Sequence, residues 1–121
     1  MLPHLLLVDD SALVTEALGF LFEETGHRVT TAASVAEAVS ACASDRPDVM
    51  LLDVTLGAED GLAVLDALRR AGHALPATVA VTGHDDRETR DRCLEAGCIA
   101  VLLKPVPTRE LLRVIGALLP A

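Results

Sequence analysis

Five short apolar runs, each followed by a stretch whose apolar residues recur at helical spacing, constrain this chain more than any other of its features. Strand and helix alternating so strictly call for a parallel sheet with right-handed crossovers and helices on both faces, which is an α/β fold. The first run, Leu5-Leu6-Leu7-Val8, is apolar at every position. A strand covered by helices on both sides needs that composition, whereas a half-exposed strand would alternate. The run stops at Asp9-Asp10, and Val14, Ala17, Leu18, Leu21 and Phe22 then fall on one face of a helix for which Gly26 offers a stop.

The same unit repeats four more times. Val29 to Ala33 reads as a second strand, and Ser34-Val35-Ala36-Glu37 has the spacing of a capping box that opens a helix ending near Ser44. Val49 to Asp53 is the third strand. Asp60 can cap the helix after it, with Leu62, Leu65 and Leu68 inward and Gly72 at its end. Thr78 to Thr82 is the fourth strand, and Asp85 or Asp86 can cap a charge-rich fourth helix that ends before Gly97. Ile99 to Leu103 is the fifth strand, and Thr108 can cap a last helix with Leu111, Leu112, Ile115, Leu118 and Leu119 inward. No Ser/Gly-rich linker interrupts the series, so one domain is expected over residues 1–121, with no output domain beside it.

For five such units the common doubly wound order is 2-1-3-4-5, as in flavodoxin-like (βα)5 folds. Strands one and three are then neighbours at the topological switch point, with a ligand crevice at their carboxyl ends. Asp9, Asp10 and Asp53 all end there. Three carboxylates in one crevice repel each other unless they share protons or hold a cation. Oxygen-only ligands in a partly hydrated site suit Mg²⁺, with Mn²⁺ as a substitute. The fourth and fifth strands bring Thr82 and Lys104 to the same edge. Nine of the ten basic residues are arginine, and Lys104 is the one lysine. A phosphoryl group between the cation and this ammonium would have its charge stabilised from two sides, with the Thr82 hydroxyl donating a hydrogen bond. Asp53 is then the natural nucleophile, because carboxylates attack phosphorus to form acyl phosphates.

Leu7-Val8-Asp9-Asp10-Ser11, Leu51-Leu52-Asp53, Val81-Thr82-Gly83 and Leu103-Lys104-Pro105 together resemble the motifs of response-regulator receiver domains, in the right order and across essentially the whole chain. The resemblance implies Asp53 as phosphoacceptor, Asp10 and Asp53 as direct ligands of Mg²⁺, and Asp9 as a ligand mainly through water. The Thr55 backbone carbonyl would complete the protein's share. It further implies Thr82 and Lys104 on the phosphoryl oxygens, room for the phosphate beside Gly83, and a cis peptide at Lys104-Pro105. Thr55 and His84 resemble positions that tune phosphate lifetime. Val101 stands where the family often has an inward-swinging Tyr or Phe, and Gly57 where proline is common, so a looser loop after Asp53 is expected. The partners implied are a sensor histidine kinase or histidine phosphotransfer protein, and a downstream protein at the face formed by helix four, strand five and helix five.

Charge and composition fit that role. A net charge of −8 and a pI near 4.8 exclude a nucleic-acid binder, which needs clustered Lys and Arg. Cys42, Cys93 and Cys98 form no Cys-x-x-Cys pair, which points to a reducing cytoplasm rather than a disulfide framework. They read as small apolar residues, with Cys98 beside a loop and open to reaction. His4, His27 and His73 read as surface or strand-end residues. The opening apolar run is too short to span a bilayer. The domain is expected to be a self-phosphorylating switch, not a metabolic enzyme. A pseudo-receiver that signals by contacts alone is the alternative, and an aspartyl phosphatase ranks last, since Thr55 stands where a second acid would be needed.

Overall fold

The structure is a computed structural model that describes residues 2–120; Met1 and Ala121, the ends of the expected domain, lie outside the described residues. In chain order the elements are β1 (His4–Val8), α1 (Ala12–Glu24), β2 (Arg28–Ala32), α2 (Val35–Ser44), β3 (Val49–Asp53), β4 (Thr55–Leu56) and β5 (Glu59–Asp60). They continue with α3 (Ala63–Arg70), β6 (Ala77–Thr82), α4 (Arg87–Ala96), β7 (Ala100–Leu103) and α5 (Thr108–Leu118). The main sheet is parallel throughout, in the order β2-β1-β3-β6-β7. With β4 and β5 set aside as a separate antiparallel hairpin, this is the 2-1-3-4-5 order expected of the doubly wound α/β fold.

Side chains alternate across a strand, so each central strand serves two cores. Leu6 and Val8 of β1 join Met50 and Leu52 of β3 in a core closed by Ala38 and Cys42 of α2, Leu65 and Leu68 of α3, and Cys93 of α4. Leu5, Leu7 and Leu51 point the other way, onto Phe22 of α1 and Leu111 and Ile115 of α5. Each fully buried leucine removes enough apolar surface from water to stabilise the fold by roughly 1.5–3 kcal/mol. The wholly apolar strands follow from this two-sided burial. No helix of the described residues is long and apolar enough to cross a membrane.

The helix starts divide into local ones and non-local ones. Ser34 accepts a hydrogen bond from the Glu37 N–H at 3.2 Å, while the Glu37 carboxylate reaches the Ala33 N–H at 3.4 Å. Of the two candidate caps for α4, Asp86 takes the role, accepting from the Thr89 N–H at 2.8 Å. Asp60 does not cap α3. It lies on β5 and accepts from the Leu62 N–H at 3.0 Å, and this turn delays the helix until Ala63. Nor does Thr108 cap α5: Pro107, with φ fixed at −58°, takes the N-cap position and Thr108 is already helical.

The inward face of α1 also differs from its apolar stripe. Thr15, Gly19 and Phe22 are the buried residues, Leu18 and Leu21 are half-buried, and Val14 and Ala17 are exposed. Thr15 can be buried because its hydroxyl donates to helix carbonyls, to Ala12 at 3.1 Å and Ser11 at 3.3 Å. Gly19 faces β2, where a Cβ would stand in ordinary contact with Val29 Cγ1 at 3.7 Å. β2 starts one residue earlier than expected, at Arg28, and ends at Ala32, while β7 starts at Ala100. Ile99 sits outside the ladder and is exposed, although its N–H donates to the Thr78 carbonyl at 2.8 Å.

One glycine serves no evident purpose. A Cβ added to Gly116, inside α5, would meet nothing within 4 Å. Glycine costs a helix interior about 0.5–1 kcal/mol relative to alanine. Gly116→Ala is therefore expected to raise the melting temperature by about 2–5 °C. An unchanged or lower value in a thermal melt would refute the open space around this position.

Candidate functional site

Because β1 and β3 pair directly, with Val8 opposite Leu52, their carboxyl ends deliver Asp9, Asp10 and Asp53 to one place. Each offers a carboxylate oxygen, and these oxygens all lie within 4.8 Å of one another. Asp53 is 4% exposed, Asp9 half-buried and Asp10 open to solvent. The Ser11 N–H donates to Asp9 Oδ1 at 2.8 Å, while the Ser11 hydroxyl caps α1 by accepting from Val14 N–H at 3.3 Å. Both oxygens of Asp53 are engaged. The Thr55 N–H donates to Oδ1 at 3.1 Å, and Lys104 Nζ donates to Oδ2 at 2.9 Å.

Burial pushes the Asp9 carboxyl above its ordinary 3.8, and the charges on Asp53 and Asp10 push the same way, against the Ser11 N–H and Lys104. With the folded value raised, the contribution of Asp9 to stability is full below the ordinary value and fades as pH rises through the raised one. At neutral pH the ionised carboxyl thus works against the fold, the charge on Lys104 offsetting only part of the effect.

The remaining expected residues sit at the same edge of the sheet. Thr82, which is buried, pairs with Leu103 across β6 and β7, and its carbonyl accepts from the Lys104 N–H at 2.8 Å. The Thr82 hydroxyl oxygen accepts from the His84 N–H at 3.1 Å, which leaves its own hydrogen free to donate. A Cβ at Gly83 would meet nothing within 4 Å, so there is room beside it. The Lys104-Pro105 peptide is cis. A groove of about 880 Å³ runs from Asp9, Asp10, Asp53, Thr55 and Lys104 inward between α1 and α5. Thr82, Gly83 and His84 stand outside its walls. Val101 is half-buried and packed against the core on the α4 side of the sheet.

The loop after Asp53 is more ordered than its glycine suggests. Residues 55–60 form a hairpin in which Thr55 pairs with Asp60 and Leu56 with Glu59. Gly57, with φ +61°, takes the first central position of a two-residue turn, where positive φ favours glycine. Gly61, which the sequence does not single out, presses on the site's own backbone. A Cβ there would lie 2.0 Å from the Asp53 carbonyl oxygen, and the Gly61 N–H donates to the Val54 carbonyl at 2.7 Å.

Outside the site one expectation fails and another is met at its strand-end alternative. Cys98 is not open to reaction: it is buried, and burial pushes its thiol up to about 12. A thiol so hard to ionise is a poor nucleophile. His4 is at a strand end but not on the surface; it is buried, with Nε2 at 2.7 Å from Thr30 Oγ1 and Nδ1 without a partner.

Known proteins bear on this arrangement in three ways. A family model described as the response regulator receiver domain matches residues 5–116. The chain is 40% identical over 119 residues to the response regulator MprA of Mycobacterium bovis (strain BCG / Pasteur 1173P2), covering 98% of this chain and 51% of that protein. It thus spans about half the length of the curated relatives it matches. Among solved structures, a CheY-like response regulator receiver domain protein from Methanospirillum hungatei JF-1 superposes with a TM-score of 0.85 at 28% identity, over 97% of this chain and 93% of that one. Chemotaxis protein CheY4 of Vibrio cholerae shares the fold, with a TM-score of 0.88 at 23% identity over 98% of this chain and 99% of its own. With the predicted strand order, the gathered carboxylates and a match across nearly its whole length, the chain belongs to the response regulator receiver domain family of two-component signalling.

Proposed function

We propose that this receiver domain is a Mg²⁺-dependent phosphoacceptor in which Asp53 takes a phosphoryl group from a phosphohistidine on a sensor histidine kinase or histidine phosphotransfer protein. The observation that carries this reading is a buried carboxylate, Asp53, bonded to Lys104 at 2.9 Å and gathered with Asp9 and Asp10 within 4.8 Å. Oxygen donors alone, part-buried and part-open, fit a hard divalent cation that keeps several waters. Asp9, Asp10 and Asp53, with the Thr55 carbonyl, would hold it. When bound, the cation neutralises charge on the phosphoryl oxygens and lets the carboxylates coexist.

The chain's own residues account for the rest of the transfer. Thr55 N–H fixes the Asp53 carboxylate through Oδ1. As the phosphoryl group arrives, Lys104 passes from Asp53 Oδ2 to a phosphoryl oxygen, which frees that carboxylate oxygen to attack phosphorus. The P–N bond breaks, and neutral imidazole leaves if its other ring nitrogen carries a proton. The Thr82 hydroxyl donates its free hydrogen to a phosphoryl oxygen. His84 and Thr55 stand beside the product and set how readily water reaches it. Downstream, Leu94, Ile99 and Leu103 leave exposed apolar surface around α4 and β7 for a partner. The three free thiols suit a reducing cytoplasm.

Incubation with acetyl phosphate and Mg²⁺ is expected to add one phosphoryl group, mapped by mass spectrometry to Asp53 and absent when EDTA is included. No mass gain, a label on another residue, or labelling indifferent to EDTA would each overturn the proposal.

A further inference from the structure

Val101 supplies no aromatic lever to report the state of Asp53: it is β-branched, rotationally stiff and already packed against the core. α4 is lightly seated, since Cys93 is its one fully buried residue. A helix with so few buried contacts is readily shifted by a single polar tie. The tie in this chain runs from α4 to the hairpin beside the site. Arg92 of α4 pairs with Asp60 Oδ2, whose other oxygen accepts from the Leu62 N–H at 3.0 Å. Asp60 lies opposite Thr55 in the hairpin ladder, and Thr55 N–H holds the Asp53 carboxylate at 3.1 Å. The neighbouring Glu59 anchors the hairpin on its other side, accepting from the Val35 N–H at the start of α2 at 3.0 Å. Of the four ion pairs among the described residues, Arg92–Asp60 alone joins α4 to this hairpin.

We propose that Arg92 is a positioning residue for Asp53, acting through Asp60 and the hairpin, so that α4 and the phosphoryl site bias each other without an aromatic switch. The proposal rests on Asp53 being the phosphoacceptor. Coupling between two sites is reciprocal. A partner that draws Arg92 away from Asp60 on docking to α4 therefore changes the chemistry at Asp53, and phosphorylation in turn changes the hold on α4. Both groups are about half exposed, so the effect is bounded by what a surface ion pair contributes, roughly two- to five-fold.

The test compares wild type with Arg92→Gln, Arg92→Lys, Asp60→Asn and the Arg92→Gln/Asp60→Asn double variant. Asn keeps an acceptor for the Leu62 N–H while removing the charge. The readouts are the rate of labelling by acetyl phosphate with Mg²⁺, and amide exchange over residues 87–96 with and without the phosphoryl group. Each charge-removing single variant should slow labelling by about two- to five-fold and shrink the phosphorylation-dependent change in α4. The double variant should do no more than either single one, and Arg92→Lys should restore most of both. Normal labelling and a normal α4 response in Arg92→Gln, or effects that simply multiply in the double variant, overturn this proposal alone. A wild-type chain that does not label overturns the phosphoacceptor reading and this one with it.

Discussion

Gly61→Ala is expected to destabilise the folded chain by about 3 kcal/mol or more, the upper end of what overpacking usually costs. The added methyl would sit 2.0 Å from the Asp53 carbonyl oxygen and 3.2 Å from the Val54 Cα. Those neighbours are backbone, so no rotamer change can relieve the overlap. Gly61 also closes the hairpin through its N–H on Val54, whose own N–H is tied to the Val81 carbonyl at 3.0 Å. Moving any of these drags the end of β3. With a urea slope of about 1–3 kcal/mol/M, the unfolding midpoint should fall by at least about 1 M. A midpoint within a few tenths of wild type would show that residues 53–61 can shift as a unit at little cost. Any chain that still folds should label slowly, because the displaced backbone belongs to the proposed phosphoacceptor.

Asp53→Asn should abolish acceptance of the phosphoryl group, leaving no label above background with acetyl phosphate and Mg²⁺. A neutral amide is not a competent nucleophile here, whereas the carboxylate it replaces is. The change also has a structural cost. Thr55 N–H and Lys104 Nζ hold different oxygens of Asp53, and asparagine has a single acceptor oxygen, so one of the two bonds is lost. Replacing an anionic ligand oxygen by a neutral one should weaken Mg²⁺ at least about tenfold, comparable to losing a supporting contact around a metal site. The chain has no Trp or Tyr, so calorimetry is a better readout than fluorescence. Unaltered labelling would move the acceptor to another residue, and unaltered Mg²⁺ binding would take Asp53 out of the cation site.

Much of the site was legible because strands carry it. β3 ran from Val49 to Asp53 as read from sequence, since two-sided burial demands an apolar run and a carboxylate cannot continue one. Alternation called for a parallel sheet, the common doubly wound order supplied the arrangement, and that order brings Asp9, Asp10, Asp53 and Lys104 together. Asp86 was legible as a cap because its bond is local. Asp60 was misread because it is held in the hairpin opposite Thr55, a pairing with no signal of its own in the sequence, and its Oδ1 turns back on Leu62 instead of capping the helix. Thr108 was misread because Pro107 competes for the same position with a φ that is already fixed. The face of α1 went wrong at Thr15, a polar residue that satisfies itself within the helix and so can turn inward while Val14 turns out. Gly61 carried no local signal at all, since only the completed fold brings the Asp53 carbonyl against it.

Asp53 is a sunken acid, 4% exposed, whose ammonium partner Lys104 is 41% exposed, and Asp10 opens to solvent at the same mouth. On the proposed function a visiting dianion would therefore meet the ammonium and an open carboxylate together, so the cation held by the carboxylates has to be in place before the anion can settle. In the proposed transfer Lys104 would then work as a turnstile: the motion that meets the anion would be the same one that uncovers the Asp53 oxygen it now holds.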